Sequence, residues 1–461
     1  MLNINITLIW GLIKFFTSRE IQETAETTGF KQRESKLQPA TFFKAFTVGL
    51  WSLHEVTLTA LAGKCEDLQG QLKLTRQGLF GRISAGAVFL KELLNQAMDY
   101  TAKKILSTET VEVLKQFRDV YVCDSSVISL PDKLEEQHKG LGGTNAKAAV
   151  KIQVVFSIIS RTFKIIEVLV ATGNDSSKAT DLAAKLLMME LIIFDLGYYN
   201  AKAFRDIDGK GAFFISRVKA NTLFYEENAK KANKYIKIDI GKELKLYGKN
   251  TVDKWIYIGG TTNTRMRVRL VAVRLPNAVA AERIRKARKK AKIKGKDLTK
   301  DEIRLLAWNV MITNVPEDML NAKTICELYR IRWQVELIFK CWKGCFKIDE
   351  MDNVGDKYFE CLLYGRLIVI ALLTTVYSRF VYMLYSQSRE LISFMRFFKN
   401  LREKLSTFIA ILIAPKLDRY SLVLLFTDIV GRSKLEKRKR KTTEQVLMDH
   451  DLPEAVLQML G

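Results

Sequence analysis

Apolar residues recur at three- and four-residue spacing through 40–62 and 85–106, the period of a helix with one buried face, and β-branched runs are few. Residues 1–115 therefore read as helical. Between the two stretches, 73–84 holds Lys73, Arg76 and Arg82 with two glycines, as a turn between helices would. A plain helical bundle and a DNA-contacting helix pair share this pattern. From about 117 the period changes. An apolar, β-rich run covers 120–130 and stops at Pro131. Two strands follow over 149–159 and 163–171, joined by the short link Ser160-Arg161-Thr162. A helix over 176–189 and a buried strand over 191–198 complete the series. Hairpin, helix and further strand predict an α/β class, a mixed sheet with packed helices. Strand-like runs return at 212–217, 243–247, 254–258 and 268–274. A basic helix over 283–296, a strand over 308–315 and a long helix over about 324–344 come next.

Charge adds a partner to this picture. Lys and Arg number 74 against 50 Asp and Glu, a formal net charge of +24. A positive field of this size attracts polyanions, and nucleic acid is the expected partner, ahead of ribosomes or anionic lipid. The 283–296 helix concentrates the charge, with Lys or Arg at 283, 285, 286, 288, 289, 290, 292, 294 and 296, and a second basic cluster spans 434–441. Its charges encircle the helix, so a phosphate-tracking helix and a solvated surface helix both fit. Phosphate tracking would make affinity fall steeply with salt.

Cysteine and histidine usage narrows the chemistry. Six cysteines (65, 123, 326, 341, 345 and 361) form no dense disulfide framework and no Cys-x2-Cys pair. The three histidines, His54, His138 and His450, lie far apart in sequence. A zinc site or a histidine-based triad is therefore not expected, which leaves carboxylates to carry the chemistry. The apolar segment 6–16 has no basic stretch before it and contains Lys14, so no secretory signal is expected. The run 367–377 lies between Arg366 and Arg379 and falls short of the roughly 20 residues that span a bilayer. It reads as a buried helix of a cytoplasmic protein without a membrane partner.

The 324–344 helix carries the sharpest chemical pattern. Tyr329, Arg332, Glu336 and Lys343 fall within an arc of about 60° on a helical wheel, while Ile331, Val335, Ile338 and Trp342 gather on a separate apolar face. A carboxylate between a guanidinium and an ammonium suits a phosphodiester, with the acid holding a hard cation and the bases engaging phosphate oxygens. An amphipathic helix with a charged outer face would look the same. Two aspartates supply independent support. Asp124 interrupts the apolar run Val120 to Ile128, and Asp195 ends the run Leu191 to Phe194. An ionised carboxylate in such a place is costly unless a partner or metal neutralises it.

The spacing Tyr-x2-Arg-x3-Glu-x6-Lys, filled by Tyr329, Arg332, Glu336 and Lys343, resembles the signature of bacterial insertion-sequence transposases that share a ribonuclease-H-like Asp-Asp-Glu catalytic core. Asp124-Ser125-Ser126 looks like the first-aspartate strand of that family, and Asp195-Leu196-Gly197-Tyr198 looks like its second-aspartate motif. The 141 residues from Asp195 to Glu336 (336 − 195) match the family's habit of inserting a β-rich subdomain there. The similarity covers about 117–390.

What the resemblance implies is specific. The fold would be α/β, a ribonuclease-H-like mixed sheet with flanking helices, interrupted by a β-rich insertion and bracketed by helical terminal regions. Residues 1–115 would bind DNA and 116–390 would form the catalytic domain, with the insertion at about 205–318. The stretch 391–461 would be a helical region with dimerisation as its candidate role. Asp124, Asp195 and Glu336 would hold two Mg²⁺ or Mn²⁺ ions for cut-and-paste transposition through a hairpin intermediate. Tyr329, Arg332 and Lys343 would contact DNA, with Trp308 as the aromatic platform for an extruded base and Trp333 as a second contact. Ordinary core packing is the competing role for each tryptophan. The partners implied are the element ends, target DNA and a second copy of the chain. A ribonuclease-H-like nuclease that cuts without joining and an inactive DNA-binding relic are the rival readings.

Overall fold

The computed structural model describes residues 19–435, excluding 54, 106–113, 143–145, 220–221, 229–234, 247–249, 261–263, 294, 352–353, 389 and 414–417. The apolar segment 6–16, His54, His450 and nearly all of the 434–441 basic cluster lie outside the described residues. In chain order the helices are α1 (Arg19–Thr27), α2 (Pro39–Lys44), α3 (Leu58–Leu68), α4 (Arg76–Phe80), α5 (Ile83–Ile105), α6 (Asp175–Lys185), α7 (Ala201–Gly209), α8 (Ile240–Leu246), α9 (Asn277–Ile293) and α10 (Lys300–Leu306). They continue with α11 (Ala322–Ile331), α12 (Trp333–Phe346), α13 (Asp356–Ser388), α14 (Phe394–Glu403), α15 (Leu405–Ile413) and α16 (Arg419–Ser433). The strands are β1 (Asp119–Leu130), β2 (Ala148–Ser157), β3 (Phe163–Val170), β4 (Glu190–Phe194) and β5 (Phe213–Arg217). After these come β6 (Phe224–Glu227), β7 (Tyr235–Ile238), β8 (Thr251–Ile258), β9 (Met266–Arg274) and β10 (Trp308–Thr313). The described residues divide into two compact units, one drawn from 19–109, 125–172 and 335–435, the other from 114–124 and 173–334.

The second unit is built on a mixed sheet in the order β1-β4-β5-β10-β9-β8-β6-β7. β1, β4 and β5 run parallel, and β10, β9 and β8 continue antiparallel. Val120 to Cys123 and Leu191 to Phe194 are buried throughout, as strands covered on both faces require. Helices α6 and α7 follow the sequence signals for caps. Asn174 and Asn200 each accept a hydrogen bond from the first turn of the helix they start. β4 ends at Phe194, and residues 196–198 form a 3₁₀ turn where the alternation had suggested more strand.

Two other expectations differ from what is found here. Residues 243–246 belong to helix α8, not to a strand, and Tyr247 lies outside the described residues. Ile240 and Leu244, four residues apart, are both buried, and this helical spacing outweighs the short alternation that mimics a strand. The single long helix over 324–344 is interrupted at Arg332, whose N–H bonds the Tyr329 carbonyl at 3.3 Å and separates α11 from α12. The basic helix is present as α9, and Glu282 in it pairs with Arg285 and Lys286. Helix α10 was not foreseen, although Thr299 and Glu302 form a reciprocal capping box readable from the sequence.

In the first unit β2 and β3 form the expected antiparallel hairpin, with Arg161 at φ 55° in its link. Apart from the end of β1, the other elements of this unit are helices. α13, 33 residues long, packs along α5 and contains the 367–377 run as part of its buried length. It is long and apolar enough to cross a membrane, yet 83% of its most apolar window is buried against the rest of the protein. Gly365 permits a close approach, because a Cβ there would collide with the Phe46 backbone carbonyl of the π-helical turn Ala45–Gly49. Gly365→Ala must push two backbones apart, and overpacking of this kind costs about 3 kcal/mol. We expect a clear fall in the thermal unfolding midpoint. An unchanged midpoint would show that the α13 contact is soft.

Candidate active site

Parallel pairing aligns the two aspartates. Val122 of β1 lies opposite Ile193 of β4, so two residues further on the same register sets Asp124 opposite Asp195. The next strand extends the row, since Phe194 pairs with Ser216 and Arg217 follows at the end of β5. Strands about 4.8 Å apart thus bring residues 71 positions apart in sequence (195 − 124) into neighbouring places. Both carboxylates are partly open to solvent, with side-chain exposures of 21% for Asp124 and 37% for Asp195.

One guanidinium holds the pair. Arg332 Nη1 lies 3.6 Å from Asp124 Oδ2, and its Nε lies 3.5 Å from Asp195 Oδ1. The Tyr329 hydroxyl donates to Asp195 Oδ1 at 3.5 Å. These four side chains belong to one unit, with Arg332 at the C-cap of α11. The field there is negative enough to be felt by neighbours. Burial pushes the Tyr329 hydroxyl well above the usual phenol range, and the Asp195 charge adds to the push while Arg217 and Arg332 oppose it. The Cys123 thiol is likewise raised by burial first, then by Asp124, Asp195 and Asp175, with Arg332 opposing.

Glu336 and Lys343 lie in the other unit, on α12. Glu336 is a half-buried acid in the first helical turn, and Lys343 Nζ donates to the Val127 carbonyl at 3.2 Å. The tryptophans separate by burial. Trp308 opens β10 with 8% of its surface exposed, whereas Trp333 is 49% exposed. Trp333 lines a cleft of about 310 Å³ together with Tyr329, Arg330, Arg332, Arg217 and Arg283. Among the described residues no carboxylate lines that cleft. Arg283 is kept below its ordinary range by burial and by the like charge of Arg217. Arg217 and Arg330 escaped the reading of the sequence. Only the strand register and the α11 turn reveal them, because an isolated arginine carries no spacing signal.

Oxygen donors, partial exposure and a cation already seated between two carboxylates are the features a divalent metal ion would use. Among the described residues no three His, Cys, Asp or Glu side chains converge closely enough to hold an ion, so the pair Asp124 and Asp195 is the core of any such site.

The sequence matches the transposase DDE domain family over residues 115–372, more than half of the chain. The chain belongs to the DDE transposases. Its relatives place it with those of bacterial insertion sequences. It is 30% identical over 375 residues to the transposase of insertion sequence IS1151 from Clostridium perfringens, covering 78% of each chain. It is 29% identical over 400 residues to the IS231B transposase from Bacillus thuringiensis subsp. berliner, covering 82% of each. A solved piggyBac transposase synaptic complex with hairpin DNA aligns over 96% of this chain and 88% of its own at 10% identity, with a TM-score of 0.39. The transposase is accordingly an enzyme of DNA cleavage and strand transfer. Enzymes of this family work on DNA with divalent metal ions, which agrees with the donor chemistry of Asp124 and Asp195.

Proposed function

We propose that this transposase performs cut-and-paste transposition through a hairpin intermediate, with Asp124, Asp195 and Glu336 as its three metal-binding acids. The observation that carries the reading is the grip of Arg332 on both aspartates. Glu336 follows four residues later, within about 14 Å even on a fully extended chain. Lys343 contacts the chain three residues beyond Asp124. A pair of Mg²⁺ or Mn²⁺ ions, when bound, would activate the attacking water or 3′-hydroxyl and stabilise the departing oxygen. The chain's own groups do the positioning. Arg332 exchanges its hold on the aspartates for phosphate oxygens, Lys343 adds a point charge, and Tyr329 remains a hydrogen-bond donor because its proton is held tightly.

Residues 1–115 and the basic helix α9 bind the element ends, 116–390 form the catalytic domain with its insertion at about 205–318, and 391–461 support a homodimer that unites two ends and a target. The setting is double-stranded DNA in a bacterial cytoplasm. Trp333 is the better-placed platform for an extruded base, because its ring is open to the arginine-lined cleft, whereas Trp308 is packed away. Base stacking on an aromatic ring is worth about 1–3 kcal/mol, so Trp333→Ala should slow hairpin formation roughly tenfold. Trp308→Ala should act mainly through stability. The reverse order of effects would return the platform role to Trp308.

The test is a duplex carrying the element end, incubated with purified protein and Mg²⁺ and resolved on denaturing gels. Hairpin and joined products support the proposal. Cleavage with no joining of pre-cut ends would make it a nuclease, and binding without cleavage would make it a relic. Glu336→Gln is expected to keep end binding and lose all cleavage. Cleavage at wild-type rate by that variant would remove Glu336 from the site.

A further inference from the structure

Four strands of the second unit carry a row of side chains directly across them. The order β7-β6-β8-β9 sets Lys237 opposite Tyr225, Tyr225 opposite Tyr257, and Tyr257 opposite Arg267. Successive strand residues point to opposite faces, so these four share one face with Trp255, Tyr235 and Glu227. Residues of the other face, among them Phe224, Ile256, Ile258 and Val268, are buried. On the first face Tyr225, Tyr235, Trp255 and Tyr257 are half-buried, and Lys237 and Arg267 are exposed. Four large rings on the open side depart from the polar residues that a solvated sheet face ordinarily carries.

Two arginines lie on these rings. Arg265 is held between Tyr225 and Tyr235, its guanidinium carbon 4.2 and 4.4 Å from the ring centres. Arg267 lies over Trp255 at 4.8 Å, and Tyr235 meets Tyr257 edge-on at 4.8 Å. Among the described residues neither arginine pairs with a carboxylate, and Arg265 Nε has no hydrogen-bond acceptor. The acids of the face are engaged by other groups. Glu227 Oε2 accepts from the Tyr257 hydroxyl at 3.5 Å, and Asp253 is forked by Arg269.

We propose that this open face of strands β6 to β9 binds an unpaired DNA strand. Its bases stack on Tyr225, Tyr257 and Trp255, and its phosphates meet Lys237, Arg265 and Arg267. In a duplex the neighbouring bases already cover each other's faces, so side-chain rings gain little there. A strand released from pairing exposes those faces, and sheets bearing such rings stack about two or three bases. An entering base displaces a guanidinium from its tyrosine, and the arginine turns its N–H donors to a phosphate oxygen. Strand cleavage by this family frees such ends. The proposal needs neither the hairpin nor the three acids.

The test measures binding of the purified full chain, without added metal, to a fluorescein-labelled oligothymidylate of about 12 nucleotides and to a blunt duplex. The double variant Tyr225→Leu with Tyr257→Leu should weaken oligonucleotide binding about tenfold and leave duplex binding within a small factor. Arg267→Gln should lower the salt slope of oligonucleotide binding by about one. An element-end duplex with a frayed flank should bind more tightly than its blunt counterpart, and the tyrosine variant should erase that difference. Loss of the oligothymidylate preference without loss of the frayed-end preference would overturn the assignment of the freed strand to this face. Equal weakening on oligonucleotide and duplex, or no weakening, overturns the site. A second measurement needs no variant. Irradiated iodouracil in the oligonucleotide should crosslink the wild-type chain at peptides carrying Tyr225, Trp255 or Tyr257, and crosslinks confined to other peptides overturn the proposal. Binding is read without cleavage, so its failure is distinct from a failure of the transposition reading, which the Mg²⁺ cleavage assay reports.

Discussion

Asp124→Asn and Asp195→Asn should each reduce cleavage of an element-end duplex by at least ~10³-fold while leaving its binding within a small factor of wild type. The substitution keeps shape and removes the charge that a metal ion needs. Each aspartate also shares Arg332, so neutralising one leaves the guanidinium balanced by a single acid. Binding should survive, because the arginine-lined cleft and the basic helix α9 retain their charge and the variant adds to it. Single-turnover cleavage and gel-shift titration on the same preparations separate the two effects. Either variant cleaving at a tenth or more of the wild-type rate would remove that aspartate from the chemistry. Equal loss of binding and cleavage would make its role structural.

Arg269→Met should lower the unfolding midpoint by about 10 °C, the second large effect. Arg269 is fully buried, and its guanidinium forks onto Asp253 at 2.7 and 2.6 Å. Its Nη1 also donates to the carbonyls of Val315 and Leu320, at 3.2 and 2.6 Å. Removing one partner of such a pair leaves the other unpaired, along with two carbonyls, at a cost of about 3–5 kcal/mol. A unit of this size loses about 2–4 °C per kcal/mol. The same arginine ties β8 and β9 to the loop that enters α11, the helix ending at Tyr329 and Arg332. Its loss therefore loosens the site as well as the sheet. The double variant Arg269→Met with Asp253→Leu should recover part of the midpoint, since no charge is then left unpaired. A midpoint within about 2 °C of wild type for the single variant would contradict this account.

Many of the strand positions along the chain were legible because burial writes itself into composition. The apolar runs that became β1, β2 and β4 contain little else, and each is interrupted or ended by a residue that apolar surroundings penalise. That penalty is what marked Asp124 and Asp195. Helix α13 was legible for the same reason, as an apolar length with charged ends. Elements stabilised by few buried side chains were harder to see. Helix α8 rests on Ile240 and Leu244, and the short β6 and β7 are held by pairing with β8 and with each other. Local pattern was weak in all three.

By itself the sequence determined which residues are available for chemistry: three acids in separate motifs, a scarcity of histidine, a strong excess of positive charge and an alternation that demands a mixed sheet. Tertiary structure alone decided how the acids are addressed. The parallel register of β1, β4 and β5 put Asp124, Asp195 and Arg217 in one row, and the fold set the Arg332 guanidinium against both acids. Burial of Trp308 and exposure of Trp333 also depended on it. The physical reason is that side-chain type follows from local preference and burial, whereas register, turn direction and solvent access are set by contacts between residues far apart in the chain.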